Sequence, residues 1–210
     1  MIKVGVTGGI GSGKSTLCHA FEVSGVPIYY SDREAKRLMS DDEVLREKII
    51  AEFGAESYIE SDGTAELNRP YLAREVFGSD ARRESLNALV HPAVRADFDR
   101  WAEEQSANDI PYVIVESAIL LDSEFVNHVD LSVGVLAPEE LRLQRVVNRD
   151  GVSVEQVRER IAAQMSEEEM FRRCDYTVVN IIEGEMDDAA QRLDQIFKHE
   201  ALKRENEVRS

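Results

Sequence analysis

The chain has 210 residues, of which 43% are hydrophobic, and its formal net charge is −16 at pH 7. This length supports one core with helical additions but not two large independent domains. So negative a charge argues against a nucleic-acid partner, because a nucleic-acid surface needs clustered Lys and Arg side chains. The chain has no apolar run of about 18 residues and no signal-peptide pattern at its start. We therefore expect a cytoplasmic protein with no membrane span.

The most informative motif lies at residues 8–15, which read GGIGSGKS. It follows an apolar stretch, residues 2–7, and precedes a helix-forming stretch, residues 16–23, as a phosphate-binding loop does. Glycines let consecutive N–H groups turn towards an anion, and the helix directs its positive end at the same point. Lys14 can then reach the β- and γ-phosphates, and the Ser15 hydroxyl can bind Mg²⁺. The motif predicts a protein that binds a nucleoside triphosphate.

We expect the following loop residues to bind ATP: Gly9, Ile10, Gly11, Ser12, Gly13, Lys14, Ser15 and Thr16. A chain of negative charge must attract this polyanion locally. Backbone N–H groups, Lys14, Mg²⁺ and a few arginines have to outweigh a diffuse field that salt screens beyond about 10 Å. The net charge therefore concerns solubility more than ligand binding.

Five β-rich runs alternate with helical stretches, at residues 2–7, 26–30, 112–116, 131–136 and 176–179. Strands that alternate with helices predict parallel pairing with right-handed crossovers. The fold class is therefore α/β, a three-layer sandwich around a five-stranded parallel sheet, like P-loop NTPases and nucleotide kinases. Ligands of such sheets bind beyond the carboxyl ends of the strands, where the glycine loop lies.

Two helical segments lie outside this sheet within what we interpret as one domain, residues 1–210. Residues 31–110 are too many for a simple crossover and predict an inserted subdomain, a natural place for a second substrate. Within it, residues 61–64 predict a turn. Residues 138–174 carry two capping-box patterns, Ser153-x-x-Gln156 and Ser166-x-x-Glu169, which start helices. This charged, weakly apolar region predicts a mobile helical lid.

Besides Lys14, three charged side chains are candidates for catalysis. Asp32 follows the second strand, so its carboxylate could accept the proton of an attacking hydroxyl, although spacing alone favours an N-cap for a helix that starts at Arg33. Arg145 and Arg149 lie four residues apart on one helix face, near Arg142. That face could bind phosphoryl oxygens, or it could be an ordinary solvated face.

Four other polar residues have two interpretations each. His91, before Pro92, could bind substrate phosphate or stabilise a junction between two helices. Asn180 follows the last strand and could hydrogen-bond a base, or it could be a turn asparagine. Glu116 and Asp122 could orient metal-bound water or cap a short helix, so a metal ligand beyond Ser15 stays open.

The glycine loop does not separate a kinase from a nucleotide switch or a motor. A GTPase should also carry an Asn/Thr-Lys-x-Asp element and an Asp-x-x-Gly switch, and the sequence contains neither. A small α/β core with a helical insertion and an arginine-bearing lid favours a kinase of nucleotides or small metabolites. In such kinases, lid closure excludes water from the γ-phosphate.

Beyond these arguments, the sequence resembles the dephospho-coenzyme A kinase family over nearly its whole length. The shared motifs are VTGGIGSGKST at residues 6–16, SDxxA at 31–35, LNALVHP at 86–92, RxxxRDG at 145–151, the region around Gln164 and DYTVVN at 175–180. The first string combined with the later His-Pro is the most selective part of the match. The chain departs from the family at Ala118 to Asp122, where Pro-Leu-Leu-x-Glu is common.

The resemblance implies transfer of the ATP γ-phosphoryl group to the 3′-hydroxyl of dephospho-coenzyme A, the last step of coenzyme A synthesis. It implies that Asp32 is the general base and that Lys14 and Ser15 contact phosphate and Mg²⁺. It also implies that Arg145 and Arg149 are lid arginines. His91 falls in the acceptor-binding insertion and Asn180 in the adenine-side loop.

Two alternatives stay open at this point, and the sequence does not set the oligomeric state. A related kinase could phosphorylate another nucleotide-like alcohol. An ATP-binding regulatory module would bind ATP tightly, change conformation and release no phosphorylated product. Product formation from dephospho-coenzyme A, compared with adenosine and nucleoside monophosphates, separates these alternatives.

Overall fold

The structure is a computed structural model that describes residues 1–61, 64–108, 110–182 and 184–209. The chain divides into two compact units. The first unit contains Met1–Tyr30 and the chain from Trp101 onward, and the second is Ser31–Arg100. The second unit begins where the sequence predicts an insertion, but it ends ten residues earlier than the predicted residue 110, because the chain re-enters the first unit inside a helix.

The strands are β1 (Ile2–Gly8), β2 (Ile28–Tyr30), β3 (Tyr58–Ser61), β4 (Thr64–Leu67), β5 (Tyr112–Glu116), β6 (Leu131–Leu136) and β7 (Tyr176–Val179). The helices are α1 (Lys14–Val23), α2 (Ser31–Asp41), α3 (Glu43–Phe53), α4 (Arg69–Val76), α5 (Asp80–Ser106), α6 (Glu139–Asp150), α7 (Val154–Ala162), α8 (Glu167–Arg173) and α9 (Glu185–Arg209). Among the residues described, no helix is both long and apolar enough to cross a lipid bilayer.

The predicted five-stranded parallel sheet is confirmed. Its strand order is β2-β5-β1-β6-β7, and all four pairings are parallel. Val6 of β1 lies opposite Glu116 of β5, and Gly8 lies opposite Val135 of β6. The carboxyl ends of the three central strands therefore meet at one edge of the sheet, where β1 leads into the glycine loop.

Helices and short turns cover both faces of the sheet. On one face, Val4 and Val6 belong to a buried cluster with Phe21 of α1 and Phe197 of α9. The opposite face contains Gly5, where a Cβ would overlap the Leu120 side chain. Successive residues of a strand point to opposite faces, so this alternation of β1 produces the three layers.

The second unit contains α2, α3, α4, most of α5 and an antiparallel hairpin of β3 and β4. The sequence analysis did not predict these two short strands. It placed a turn at residues 61–64, and Asp62 and Gly63 of that turn lie outside the described residues.

The predicted helix junction at His91-Pro92 is wrong, because α5 continues through both residues. Pro92 has no N–H to donate to the carbonyl of Ala88, which usually ends or kinks a helix. Val90 and Val94 are both buried on either side of the proline. Their packing stabilises the helix locally and outweighs the unfavourable propensity of Pro92.

The segment predicted as a lid, residues 138–174, contains α6, α7 and α8. Ser153 and Gln156 form a reciprocal capping box at α7, as predicted. At α8 the Ser166 side chain accepts a hydrogen bond from the backbone N–H of Glu169. Helices α6 and α7 share a small buried cluster of Leu143, Val146 and Val157, against which Ile10 of the glycine loop packs.

Phe197 tests how far the fold depends on the packing of α9 against the sheet. Its ring lies 5.3 Å from that of Tyr112 and 6.1 Å from that of Phe21, centroid to centroid. We expect Phe197→Ala to lower the free energy of unfolding by about 3–5 kcal/mol, because it leaves a cavity in a fully buried cluster. Urea denaturation measures this change. Phe77, which is 88% exposed, is the control: Phe77→Ala should change it by less than about 0.5 kcal/mol. Equal effects would contradict the packing account.

Candidate active site

The glycine loop has a backbone that only glycine adopts readily at two positions. Gly11 and Gly13 have φ angles of 77° and 101°, in the left-handed region. The loop closes with a hydrogen bond of 3.1 Å from the Ser12 N–H to the Gly9 carbonyl. A Cβ at Gly13 would also overlap the side-chain amide of Asn180. Positive φ angles therefore require glycine at positions 11 and 13, and the contact with Asn180 leaves no room for a side chain at position 13.

Helix α1 begins directly at the loop and directs its N-terminus into the same space. Lys14 is its first residue, and the Lys14 Nζ donates a hydrogen bond of 2.7 Å to the Gly8 carbonyl. Ser15 and Thr16 follow and are exposed. The first turn of α1 contains no acidic residue that would repel an anion. The N–H groups of the first turn, the helix dipole and a lysine therefore favour a phosphate at this point.

Arg145 and Asn180 both donate hydrogen bonds to backbone carbonyls of the glycine loop. The Asn180 Nδ2 donates a hydrogen bond of 2.8 Å to the Ser12 carbonyl and is buried there. Arg145 donates to the Gly11 carbonyl at 3.3 Å and to the Asn180 Oδ1 at 3.2 Å. Sequence reasoning placed one residue in the lid and the other beside the adenine, and the structure brings both onto the loop backbone.

Arg142 and Gln164 are site residues whose roles sequence reasoning missed. The Arg142 side chain is almost completely buried, and its Nε donates a hydrogen bond of 3.0 Å to the Ile10 carbonyl. The Gln164 Oε1 accepts the Ile10 N–H at 2.9 Å. The signals in the sequence were the spacing of Arg142, three residues before Arg145, which puts both on one helix face, and the family resemblance around Gln164.

Arg149 differs from the other two arginines of α6. Its guanidinium is mostly exposed and donates two hydrogen bonds to Asp150, of 2.7 and 3.1 Å. These hydrogen bonds lower the pKa of Asp150. Within the described part of the chain, Arg149 is therefore bonded to its sequence neighbour and not to the glycine loop.

Asp32 and His91, the predicted acceptor-side residues, both belong to the second unit. Asp32 is the second residue of α2, so it does not N-cap a helix that starts at Arg33. His91 is half-buried on α5, and burial lowers its pKa, with Arg95 adding to the effect. The carboxylate of Asp32 opposes this shift, so the two side chains interact electrostatically. Burial thus favours the neutral imidazole.

Glu116 ends β5 beside the loop and is 9% exposed. Burial raises the pKa of the Cys18 thiol, Glu116 raises it further, and Lys14 opposes them. These effects place a carboxylate and the loop lysine within electrostatic range of the same thiol. Glu116 is therefore a buried acid at the phosphate end of the sheet.

Asp122 lies in a short 3₁₀ turn, Leu120–Asp122, where the chain departs from the family pattern. Its carboxylate forms an ion pair of 3.6 Å with Arg173 of α8, and both side chains are partly exposed. The same arginine also donates a hydrogen bond to the Leu121 carbonyl. The shorter acid at this position therefore pairs with α8.

The oxygen donors at the loop fit a magnesium ion. Mg²⁺ prefers oxygen ligands, keeps several waters, and usually takes one or two protein ligands besides substrate phosphates. The exposed Ser15 hydroxyl is such a donor. The described residues contain no group of three or more His, Cys, Asp or Glu side chains that could hold a metal by themselves. The chemistry of the site thus suits a cation that arrives with a nucleotide.

The parallel sheet, the glycine loop and the basic side chains around it define a P-loop kinase. Residues 2–187 match the family described as CoaE: Dephospho-CoA kinase. The chain therefore belongs to the dephospho-CoA kinase family and is an enzyme, as the sequence resemblance indicated.

Similar proteins extend this match over most of the chain. A dephospho-CoA kinase of Bacteroides fragilis is 41% identical over 179 residues, which are 85% of this chain and 84% of that protein. One of Salinibacter ruber is 40% identical over 197 residues, with 94% and 96% covered. The crystal structure of TT1252 from Thermus thermophilus superposes with a TM-score of 0.77 at 33% identity, and covers 93% of this chain and 96% of its own. The likeness thus includes the insertion and the lid segment.

The pairing of Asp32 with His91 can be tested by NMR titration of the imidazole. We expect the pKa of His91 to lie below 6.5, because burial disfavours the imidazolium. Asp32→Asn should lower it further, since the substitution removes a carboxylate that stabilises the charged form. Asp41→Asn, at the far end of α2 about 13 Å along the helix axis, should leave it unchanged. An unchanged or higher pKa in Asp32→Asn would contradict the interaction.

Proposed function

We propose that this kinase transfers the γ-phosphoryl group of ATP to the 3′-hydroxyl of dephospho-coenzyme A, giving coenzyme A and ADP. The family match over residues 2–187 supports the reaction, which is the final step of coenzyme A biosynthesis. The observation that carries the mechanism is the glycine loop, whose carbonyls are held by Arg145 and Asn180. We propose a cytoplasmic location for this reaction.

The loop binds the triphosphate. Backbone N–H groups of the loop that follow Ile10, among them those of Gly11, Gly13 and Lys14, bind the β- and γ-phosphates, and Lys14 exchanges its bond to the Gly8 carbonyl for a phosphate oxygen. When bound with ATP, Mg²⁺ neutralises charge on the β- and γ-phosphates, with the Ser15 hydroxyl as a protein ligand. Asn180 holds the loop through the Ser12 carbonyl, and the segment that contains Asn180 contacts the adenine.

Asp32 activates the acceptor. Its carboxylate accepts a hydrogen bond from the 3′-hydroxyl and takes the proton as the oxygen attacks the γ-phosphorus. A bond forms between the 3′-oxygen and this phosphorus, and the bond to the oxygen that bridges the β- and γ-phosphates breaks. ADP leaves with that electron pair. The transfer is direct and in line, so no residue of the chain becomes phosphorylated.

The lid arginines compensate charge and the lid excludes water. Arg145 contacts the Gly11 carbonyl, which supports its proposed role of stabilising charge that spreads over the transferred group. Arg149 acts the same way after it exchanges its hydrogen bonds with Asp150 for a phosphate. Burial favours the neutral form of His91, which can both donate a hydrogen bond to the acceptor and accept one from it. The insertion, residues 31–110, holds the acceptor.

Asp32→Asn separates binding from catalysis. We expect turnover of dephospho-coenzyme A to fall by about 10²-fold or more, because the amide cannot take the proton. The affinity for ATP should stay within about twofold, measured by calorimetry, because the P-loop is unchanged. Asp41→Asn on the same helix is the control and should keep normal turnover. Wild-type turnover in Asp32→Asn would refute the general-base role.

The acceptor itself is tested by product formation. Purified enzyme, ATP and Mg²⁺ should convert dephospho-coenzyme A to coenzyme A, as detected by mass spectrometry and by ³¹P NMR of the 3′-phosphate. Adenosine and nucleoside monophosphates should be converted far more slowly. A preference for one of those acceptors would indicate a related kinase, and binding of ATP without any product would indicate a regulatory module.

A further inference from the structure

We infer that Arg142 and Gln164 form a clamp on the backbone N–H and carbonyl of Ile10. This clamp sets the shape of the glycine loop and ties the lid segment to it. The clamp is a positioning device, since neither side chain is placed to take part in the reaction. It goes beyond the proposed function, and only its effect on turnover rests on that function.

Both polar atoms of the Ile10 residue are bound by the clamp. Its N–H donates to the Gln164 Oε1 at 2.9 Å, and its carbonyl accepts from the Arg142 Nε at 3.0 Å. The Arg142 Nη2 also donates to the same Gln164 oxygen at 3.2 Å. The three groups therefore form a closed ring of hydrogen bonds, two of them donated by a guanidinium, which are stronger than neutral bonds.

Glu167 accepts a hydrogen bond from the third nitrogen of the Arg142 guanidinium. Its Oε1 accepts from the Arg142 Nη1 at 3.3 Å and from the backbone N–H of Ala137 at 3.0 Å. Arg142 is 4% exposed, so its charge is stabilised by this carboxylate and by the two oxygen acceptors. Because all three nitrogens of this buried guanidinium are hydrogen-bonded, the side chain is held in one orientation. The Ile10 carbonyl that it binds is held in one orientation as well.

Packing reinforces the same geometry. The guanidinium lies against the backbone of Gly9, where a Cβ would overlap the Arg142 Nη2. The Ile10 side chain packs against the buried cluster of Val146 on α6 and Val157 on α7. Ile10 is therefore anchored both by the hydrogen bonds of its backbone and by the packing of its side chain.

This anchoring has two consequences for nucleotide binding. The Ile10 N–H is used by Gln164, so the phosphates are left to the amides that follow it in the loop. The peptide between Ile10 and Gly11 is planar and trans, so a carbonyl turned towards Arg142 turns the Gly11 N–H the opposite way. Arg142 lies on α6 and Gln164 between α7 and α8, so the lid segment fixes the direction of the Gly11 amide through Arg142 and of the Ile10 amide through Gln164.

Gln164→Met tests the clamp, because methionine keeps the length of the side chain and removes the oxygen. We expect the affinity for ADP to fall by about tenfold, the usual cost of one to two buried hydrogen bonds. The affinity for AMP, which lacks the β-phosphate that the loop binds, should stay within about twofold. In turnover, the KM for ATP should rise and the KM for dephospho-coenzyme A should not. Calorimetry and initial rates measure these values.

Gln144→Met is the matched control, an identical substitution at an exposed position of α6. It should leave the affinities for ADP and AMP unchanged. If Gln164→Met does not fold, Gln164→Asn, which is too short to reach Ile10, gives the same expectation. A variant that loses no more affinity for ADP than for AMP would overturn the inference.

A double variant tests whether Arg142 and Gln164 act together. Arg142→Met removes the other half of the ring, and the two changes combined should weaken ADP binding no more than the larger single effect does. Effects that multiply would show two independent contacts and would also overturn the inference. ADP binding needs no acceptor, so these results stand even if the enzyme does not phosphorylate dephospho-coenzyme A.

Discussion

The structure depends on the orientation of a few peptide groups in the glycine loop. The Ile10 carbonyl is held by Arg142 and the Ser12 carbonyl by Asn180. Because a peptide is planar and trans, its N–H points opposite to its carbonyl. The amides of Gly11 and Gly13 are thereby turned inwards, and the phosphates can bind to N–H groups that need little rearrangement.

This arrangement explains how a chain with a net charge of −16 can bind a polyanion. The cations that matter are concentrated at one edge of the sheet, where Lys14, Arg142 and Arg145 all contact the loop backbone. Salt screens exposed charges farther away than about 10 Å. Local geometry therefore outweighs overall charge, and the same basic side chains that shape the loop reduce repulsion of the nucleotide.

The sequence predicted the sheet and the glycine loop because both have strong local signals: apolar runs, and glycines at fixed spacing before a helix. It did not predict the hairpin β3–β4, whose short strands are half-exposed, or the continuity of α5 through Pro92, which depends on packing. Arg142 and Arg149 lie on the same helix, and the sequence favoured Arg149 through the RxxxRDG motif. Only tertiary contacts make Arg142 a buried anchor of the loop and leave Arg149 bonded to Asp150.

Hydrogen exchange at the amides of the loop tests most directly whether they grip the phosphates. ATP with Mg²⁺ should slow exchange at Gly11, Gly13 and Lys14 by at least about tenfold, because these N–H groups become donors to phosphate oxygens. Adenosine, which has no phosphate, should leave them unchanged. Protection by ATP at other positions but not at these three amides would contradict the account.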